Sequence, residues 1–374
     1  MKKVLVLLLA LLLTFAFTAC RAPGTAEPDD SPAQQSAEAP EKSEEPAKEP
    51  EKTDDGGDEP APEGELNLSP ELQAIYDKLE YKPVPNTTGE EFTIAVLCVM
   101  NNSFWYDVVD GIDEITKLLA DPVFNTKVEM ITIEAHEGQL FAEAIDNCVT
   151  KGYDAISTVG TSEAIIPAVN RAVDEGIPVY TFNSDVIESK RTAFVGQNLY
   201  DAGVLAGETM AQLIGGEGQV AVITGYFTVP AHEDRRLGAL ESFDKYPDIE
   251  IVSEVENHDS NDEGYSYTKD FLTAYPDLKG IYITAGGQQG VTKALSEYDG
   301  EIKVVMFDFM EEVIDAIYAG DVDATIGQDP YAQGANPVVF AYNEQVTGTP
   351  EFTGNVWTQM DIVTPDNVEE YFPR

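Results

Sequence analysis

The chain is 374 residues long and strongly acidic, with 68 aspartates and glutamates against 22 lysines and arginines and a formal net charge of −46. A field of that sign repels nucleic acid and anionic lipid headgroups, which excludes nucleic-acid binding as the main function and favours solubility. The length exceeds what one simple hydrophobic core usually organises, so the chain is expected to form more than one lobe.

The first twenty residues predict the compartment. Lys2 and Lys3 precede an apolar run over 4–17, and Thr18-Ala19-Cys20 is a small-residue cleavage site that ends in cysteine. This pattern is typical of a bacterial lipoprotein signal, so we expect residues 1–19 to be a signal peptide that is removed and the Cys20 thiol to be acylated, with palmitate among the chains. The protein would then be extracytoplasmic, anchored by lipid to the outer face or periplasmic side of the cell membrane. A merely secreted or helix-anchored protein is the alternative, although the run is short for a membrane span.

Residues 20–65 are rich in Pro, Ala, Glu, Asp and Ser and poor in large apolar side chains. Such a composition cannot bury enough apolar surface to offset the entropy of ordering, so it predicts a disordered acidic tether, extended by its own charge. Residues 66–90 are predicted to hold a short helix and a linker. Ser69-Pro70-Glu71 is a good helix start within 66–82.

From about Glu91 to Arg374 the chain alternates between β-rich apolar runs and helical patterns such as 104–119, 139–151 and 162–175. The first strands are predicted at 92–99, 127–134, 153–159 and 177–182. A second series is predicted at 192–196, 219–224, 249–255, 280–284, 302–307 and 324–328. This alternation predicts an α/β fold with two doubly wound parallel-sheet lobes, whose ligand would bind beyond the carboxyl ends of the strands.

Polar and aromatic side chains follow several of these strands. Carboxylates, guanidinium groups and amides pair well with hydroxyls, and an aromatic face covers the C–H side of a sugar ring. Taken singly, each is more often a turn or a helix cap, but their recurrence at successive strand ends indicates a site for a polyhydroxylated ring. The candidate ligand-binding residues are Asn102, Phe104, Trp105, Asn183, Asp185, Arg235, Thr284, Asp308 and Gln328.

At these residues the chain resembles the type I periplasmic sugar-binding proteins, the ribose- and galactose-binding group that serves ABC importers and chemoreceptors. The segments that carry the resemblance are 99–112, 176–186, 193–208, 232–243 and 304–334, and the last, with Phe307-Asp308 and Gln328, is the most specific. By match to the family's motifs, Asn102, Phe104 and Trp105 would contact ligand from the first lobe, and Arg235, Asp308 and Gln328 from the second lobe and the hinge.

The resemblance implies three chain crossings near Gly196, Gln328 and Trp357, where the lobes would bend towards each other on ligand. It implies a first lobe of residues 91–196 plus 329–357 and a second of 197–328 plus 358–374. The expected role is that of a monomeric binding protein that presents a small sugar or polyol to an ABC permease, without a cofactor. A sensory receptor for a sugar or autoinducer, feeding a signalling partner, is the alternative.

Two departures from the family pattern bear on the ligand. Asn183-Ser184 stands where ribose-binding relatives carry an Asp-Arg pair, and Thr284-Ala285 stands where they carry Asn-Asp. A site built to hydrogen-bond one sugar leaves buried groups unpaired with another, so these changes argue against ribose itself.

Enzymatic function is not expected. The sequence lacks a G-x-S-x-G elbow, a Walker A loop and H-E-x-x-H, and no spacing singles out a carboxylate pair for glycoside hydrolysis. The histidines lie too far apart for a local metal motif, and His136-Glu137 and His232-Glu233 are interpreted as surface or cap pairs. Gly286-Gly287 is interpreted as a turn. Cys98 and Cys148 are expected to be buried thiols, with a disulfide as the alternative.

Overall fold

The computed structural model describes residues 66–100 and 103–374. Two six-stranded sheets are each flanked by helices, which confirms the predicted fold class. The sheet that begins the chain, with the helices packed on it, is called here the first lobe, and the other sheet with its helices the second lobe.

The first sheet has the strand order β11-β5-β4-β3-β1-β2, and all its pairings are parallel. Its strands are β1 (Phe92–Val99), β2 (Thr126–Ile133), β3 (Ala155–Val159), β4 (Val179–Phe182), β5 (Ala193–Gly196) and β11 (Gly354–Trp357). Its helices are α1 (Pro70–Lys78), α2 (Phe104–Leu119), α3 (Gly138–Lys151), a 3₁₀ turn (Glu163–Ile165), α4 (Ile166–Asp174) and α10 (Pro330–Thr347).

The second sheet has the order β12-β10-β9-β8-β6-β7 and is parallel except for β12, which runs antiparallel to β10. Its strands are β6 (Glu217–Thr224), β7 (Asp248–Glu256), β8 (Leu278–Ile283), β9 (Lys303–Phe307), β10 (Ala324–Ile326) and β12 (Ile362–Val363). Its helices are α5 (Leu199–Leu213), α6 (Pro230–Asp244), α7 (Asn261–Ala274), α8 (Gln288–Ser296), α9 (Glu311–Ala319) and α11 (Val368–Tyr371).

The central strands are continuous apolar runs because helices cover both faces of each sheet. In β1 every side chain except Thr93 is buried, and β3, β4 and β5 are buried throughout. Cys98, in β1, and Cys148, in α3, are buried free thiols, as predicted. Packing of these runs fixes the carboxyl ends of the strands, and therefore the side chains that follow them.

The chain passes between the two sheets three times, over 197–198, 327–329 and 358–361. The crossings predicted near Gly196, Gln328 and Trp357 agree with this path. The first two crossings contact each other, since the Gln197 side-chain amide donates to the Gly327 carbonyl over 2.9 Å.

Helices α5 and α6 of the second lobe pack unusually closely because glycines face each other's backbones. A methyl group added at Gly203 would lie 2.2 Å from the Arg235 carbonyl oxygen, and one added at Gly238 would lie 2.2 Å from the Tyr200 carbonyl oxygen. Only a residue without a side chain allows this approach. The position of the Arg235 backbone is therefore fixed by its contact with α5.

The segment over 66–90 is docked on the first lobe. Ser69 caps α1, Ile75 and Leu79 are buried in the core of the first lobe, and the Lys82 ammonium donates to the Tyr76, Asp77 and Leu79 carbonyls at the end of the helix. Further along, the backbone of Val84 exchanges hydrogen bonds with side chains of α10. The short helix predicted within 66–82 is confirmed, and it belongs to the first lobe.

Candidate functional site

A cavity of about 30 Å³ lies between the carboxyl ends of the two sheets. It has room for about two water molecules, so the groups from the two lobes face each other at short range. Its lining residues are Phe104, Trp105, His136 and Asn183 from the first lobe, Ala231, His232, Arg235, Asp259, Ala285, Gly286, Gln288 and Asp308 from the second, and Gln328 from a crossing.

The backbone turns sharply where strands end at this cavity. Residues with φ between 51° and 72° follow β4, β7, β9 and β10, and these are Asn183, His258, Asp259, Asp308 and Asp329. The left-handed region is disfavoured for residues with a side chain, and Asn, Asp and His enter it most easily. Concentration of this conformation at the strand ends indicates a functional site, where such backbone strain usually gathers.

A chain of buried amides joins the two lobes at the cavity floor. The Gln328 amide donates to Asp308 Oδ1 over 2.6 Å, and the Gln333 amide, on α10, donates to Gln328 Oε1 over 3.1 Å. Asn183, after β4, completes the chain by donating to Gln333 Oε1 over 3.1 Å. Burial raises the pKa of the Asp308 carboxyl, although Arg235 and the bond from Gln328 act in the opposite direction.

The Arg235 guanidinium is held rigidly beside this carboxylate. Nε and Nη2 donate to Gln197 Oε1 over 3.1 and 2.7 Å, and Nη1 donates to the Thr284 carbonyl over 3.0 Å. Its carbon lies 3.9 Å from the centre of the Phe307 ring. Burial lowers the pKa of Arg235, yet an arginine keeps its charge in proteins. The site therefore presents a fixed positive charge whose orientation is set from a crossing segment.

Aromatic rings from both lobes form the other wall. Trp105 is 2% exposed, and its ring centre lies 5.1 Å from that of Phe104 and 5.9 Å from that of His136. His136 lies 6.2 Å from His232, measured between ring centres. Burial lowers the pKa of His136 to about 4 and that of His232 to about 3. Both imidazoles are thus neutral near pH 7 in this arrangement.

The structure brings six of the nine candidate residues together at the cavity: Phe104, Trp105, Asn183, Arg235, Asp308 and Gln328. Asn102 lies outside the described residues. The other two candidates do not line the cavity. The Asp185 carboxylate is held by the Arg191 guanidinium, over 2.7 and 2.5 Å. The Thr284 hydroxyl bonds to the Thr224 hydroxyl over 2.8 Å, so Thr284 acts through its carbonyl on Arg235.

The profile of a family described as a periplasmic binding protein domain matches residues 94–348. The chain belongs to this periplasmic binding protein family. The matched range includes every lining residue of the cavity, from Phe104 to Gln328. The recognition of the family from sequence is therefore confirmed.

Relatives within the periplasmic binding protein family are sugar-binding proteins. The xylose/arabinose-binding protein XylF of Sulfolobus acidocaldarius is 24% identical, over 73% of this chain and 71% of the relative. The D-ribose/D-allose-binding protein of Pseudomonas aeruginosa is 26% identical, over 78% of this chain and 95% of the relative. Among solved structures, an ABC transporter solute-binding protein from Burkholderia graminis in complex with D-arabinose has a TM-score of 0.70 and 25% identity, covering 76% of this chain and 99% of that one.

Four polar residues that line the cavity are not among the candidates predicted from sequence: His136, His232, Asp259 and Gln288. The interpretation of both histidines as surface or cap pairs is wrong, since they line the cavity. The signal was available, because His136 and Asp259 follow β2 and β7, and the first turns of α6 and α8 carry His232 and Gln288. The rule that ligands bind beyond strand carboxyl ends applies to these positions as well.

The glycine-rich turn before α8 makes room for Asp259. The Gly286 N–H donates to Asp259 Oδ1 over 2.9 Å, and a methyl group added at Gly286 would lie 2.7 Å from Asp259 Cβ. Gly287 adopts φ 95° at the start of the helix. This geometry agrees with the interpretation of Gly286-Gly287 as a turn.

Within residues 66–100 and 103–374, no helix combines the length and apolar character needed to cross a membrane. The same part of the chain contains no group of three or more histidine, cysteine, aspartate or glutamate side chains arranged to hold a metal ion.

Proposed function

We propose that the protein is the extracytoplasmic substrate-binding lipoprotein of an ABC importer, and that it binds a small sugar or sugar-like polyol between its lobes. The observation that carries this proposal is the cavity itself, in which a carboxylate, a guanidinium and several amides from both lobes converge beside a buried tryptophan. No observation in the described part of the chain favours the sensory receptor. The family consists of binding proteins, and on that ground we propose no enzymatic activity and no cofactor.

The lining suits a polyhydroxylated ring. Asp308 accepts from ligand hydroxyls and Arg235 donates to them, with the amides of Asn183 and Gln328 offering both functions. Trp105 and Phe104 cover the C–H face of the ring. Because the bonds from Arg235 to Gln197 and to the Thr284 carbonyl involve only a crossing and the second lobe, the guanidinium is oriented before the ligand arrives, which lowers the entropic cost of binding.

Ligand entry requires the lobes to separate. The present cavity of about 30 Å³ is far too small for a sugar ring. The three crossings are the hinge in this proposal, with lobes of residues 91–196 plus 329–357 and 197–328 plus 358–374. The Ser103 hydroxyl bonds to Glu312 Oε1 over 3.1 Å across the lobes, a contact that separation would break.

The ligand is proposed to be a pentose, hexose or inositol other than ribose. The names of the relatives support the class, and the Asn183-Ser184 and Thr284-Ala285 departures argue against ribose. The Asn183 side chain is already bonded to Gln333, and Ser184 accepts a hydrogen bond from the backbone of α6, so neither supplies the charge found in ribose-binding relatives.

Membrane attachment through Cys20, after removal of residues 1–19, completes the proposal. Residues 20–65 would act as a tether and lie, with Cys20, outside the described residues. The partner is an ABC permease that receives the occupied closed form of a monomeric binding protein.

A thermal-shift screen tests the ligand class. D-arabinose, D-allose, D-xylose, D-ribose and myo-inositol are each added to the protein, and ligand at 100 times its dissociation constant stabilises the folded state by roughly 2.7 kcal/mol. We expect at least one of the first three or myo-inositol to raise the melting temperature in the parent and in Asp366→Ala, an exposed aspartate of the second lobe, and to raise it much less in Asp308→Ala. A screen without any shift, extended to other hexoses and to nucleosides, would remove the sugar proposal.

A further inference from the structure

His136 reaches from the first lobe into the second. It lies in the loop between β2 and α3, and its ring centre is 6.2 Å from that of His232 and 6.3 Å from that of Tyr226, both in the second lobe. On its own lobe it contacts the Trp105 ring, at 5.9 Å. Lobe closure therefore buries this imidazole between rings of both lobes, and lobe separation would return it to water.

Hydrogen bonding requires both imidazoles to be neutral in this arrangement. His232 Nδ1 accepts the Tyr226 backbone N–H over 3.0 Å, so its single ring proton sits on Nε2. A proton added to Nδ1 would place two donors against each other. His136 Nδ1 is buried and has no hydrogen-bond partner among the described residues, so a charge on that ring would lack a compensating bond.

Taken together, the charged and titratable groups around His136 and His232 disfavour protonation of either imidazole. His232 faces Arg235, whose fixed positive charge acts with burial to lower the pKa of His232 to about 3. His136 faces His232, which also lowers its pKa, and Asp259, which raises it, and burial dominates to give about 4. Tyr226 presents an uncharged ring to both histidines.

We propose that His136, which packs against His232 across the cleft, forms an interlobe switch that lets the cleft close only while the His136 imidazole is neutral, so that acidification opens the lobes and releases the ligand. The release of ligand rests on the proposed function, whereas the opening of the lobes does not.

The direction follows from the two states of the His136 ring. In separated lobes His136 meets water and takes an ordinary pKa of about 6.5, so closure costs nothing above that pH. His232 keeps its Tyr226 bond and its Arg235 neighbour in both states, since all three lie in the second lobe, so it contributes little to the difference. Below that pH, His136 must lose a proton to close, and closure weakens by up to about tenfold per pH unit until its closed-state pKa is reached. At pH 5.5 closure is weakened by roughly tenfold. Asp308 has the opposite effect on closure. Burial raises the pKa of its carboxyl in the closed arrangement, so at this residue acidification favours closure.

Acrylamide quenching of Trp105 measures closure without any ligand. The chain has two tryptophans, so Trp357→Phe leaves Trp105 as the only reporter, and Trp105 is covered when the cleft is closed. We expect its accessibility to acrylamide to be low at pH 7.5 and to rise several-fold by pH 5. Adding His136→Asn and His232→Asn should abolish the rise. His258→Asn is the matched control, because His258 is half exposed and pairs with Glu263 at the surface, and the rise should persist in it.

Imidazole chemical shifts give a second measurement that needs no histidine variant. Only three histidines are present, and we expect His136 to gain a proton together with the exposure of Trp105, while His258, whose pKa Glu263 raises, gains its proton at higher pH. The proposal is overturned if Trp105 is equally accessible at both pH values, or if His136 is protonated while Trp105 stays covered. An equal rise in the double histidine variant also overturns it.

Calorimetry with D-arabinose, D-allose and myo-inositol separates this proposal from the proposed function. Affinity for the sugar that binds should fall between pH 7.5 and 5.5 in parallel with Trp105 exposure. If none of the sugars binds while Trp105 still follows pH, the switch stands and the sugar proposal fails.

Discussion

The Ser184 hydroxyl of the first lobe accepts a hydrogen bond from the backbone N–H of Ala231 in the second, over 3.2 Å. Ala231 lies in the first turn of α6, whose own N-cap residue, Val229, offers no side-chain bond. The first N–H groups of a helix have no partner within the helix, so this serine caps α6 from the other lobe. Because this hydrogen bond exists only while the lobes are together, it stabilises the closed state directly.

Ser184→Ala should therefore weaken ligand binding by about two- to tenfold, the effect of one lost hydrogen bond on the closed state. Calorimetry with the sugar identified by the thermal screen measures it. Ser260→Ala is the matched control, since Ser260 caps α7 within the second lobe and should lower the melting temperature without changing affinity. Equal affinity in Ser184→Ala and the parent would contradict the closing role.

Asp308→Ala and Arg235→Ala should each weaken ligand binding by roughly ten- to a hundredfold, because each removes a charge-assisted hydrogen bond of about 1.5–3 kcal/mol. The measurement is again calorimetric. Arg171→Ala removes an exposed ion pair with Asp146 on the first lobe and should leave affinity unchanged. Retained affinity in both cavity variants would remove these residues from the site.

Ligand addition should change the tryptophan emission and saturate with the binding isotherm, since Trp105 lines the cavity and Trp357 lies beside the third crossing. In Trp105→Phe the aromatic face is retained, so binding should persist while most of the emission change disappears. Trp357→Phe is the reciprocal control and should keep most of the change. If the emission change is instead kept in Trp105→Phe and lost in Trp357→Phe, the ligand does not contact the cavity wall that contains Trp105.

Gly203→Ala should destabilise the protein by about 1–3 kcal/mol, because the new methyl group overlaps the Arg235 carbonyl oxygen and forces α6 away from α5. Arg235 would move with α6, so ligand affinity should fall as well. Chemical denaturation and calorimetry measure the two effects. Gly320→Ala, at a left-handed position where nothing lies within 4 Å, should cost stability but leave affinity intact. An affinity loss of equal size there would show a general rather than a local effect.

Cys20→Ser should abolish lipid attachment, because the thiol is the acylated atom in this proposal. Cells that carry the parent should retain the protein in the membrane fraction and in the detergent phase, whereas the variant should partition into the aqueous phase. Cys148→Ser, at a buried thiol of the first lobe, is the control and should partition like the parent. Identical partitioning of Cys20→Ser and the parent would contradict the lipoprotein proposal.

Much of the fold could be predicted because the strands of the two sheets are long apolar runs. The predicted ranges 92–99 and 104–119 coincide with β1 and α2. β11 and β12 were not predicted, since they have four and two residues and lie at sheet edges, where only one side chain in each is buried. Short edge strands carry too little apolar pattern to separate them from loops.

The site was predictable where a side chain follows a strand directly, as Asn183 and Asp308 do. Asp185 also follows β4, yet Arg191, six residues later in the same loop before β5, holds its carboxylate, a pairing that sequence does not reveal. The strand-end rule is enough to place the histidines at the cavity, but it does not show what their rings contact. Neither spacing nor composition shows that His136 and His232 meet across the cleft.

The docking of α1 decides which half of the molecule a membrane anchor would hold. Everything upstream of Leu66 joins the folded part through α1, and α1 is bonded to the first lobe by its buried Ile75 and Leu79 and by the Lys78–Glu114 ion pair with α2. An anchored chain would therefore be tethered by its first lobe, and the second lobe would be the arm without a direct link to the anchor. A permease would sense ligand through the swing of the second lobe relative to the tethered one.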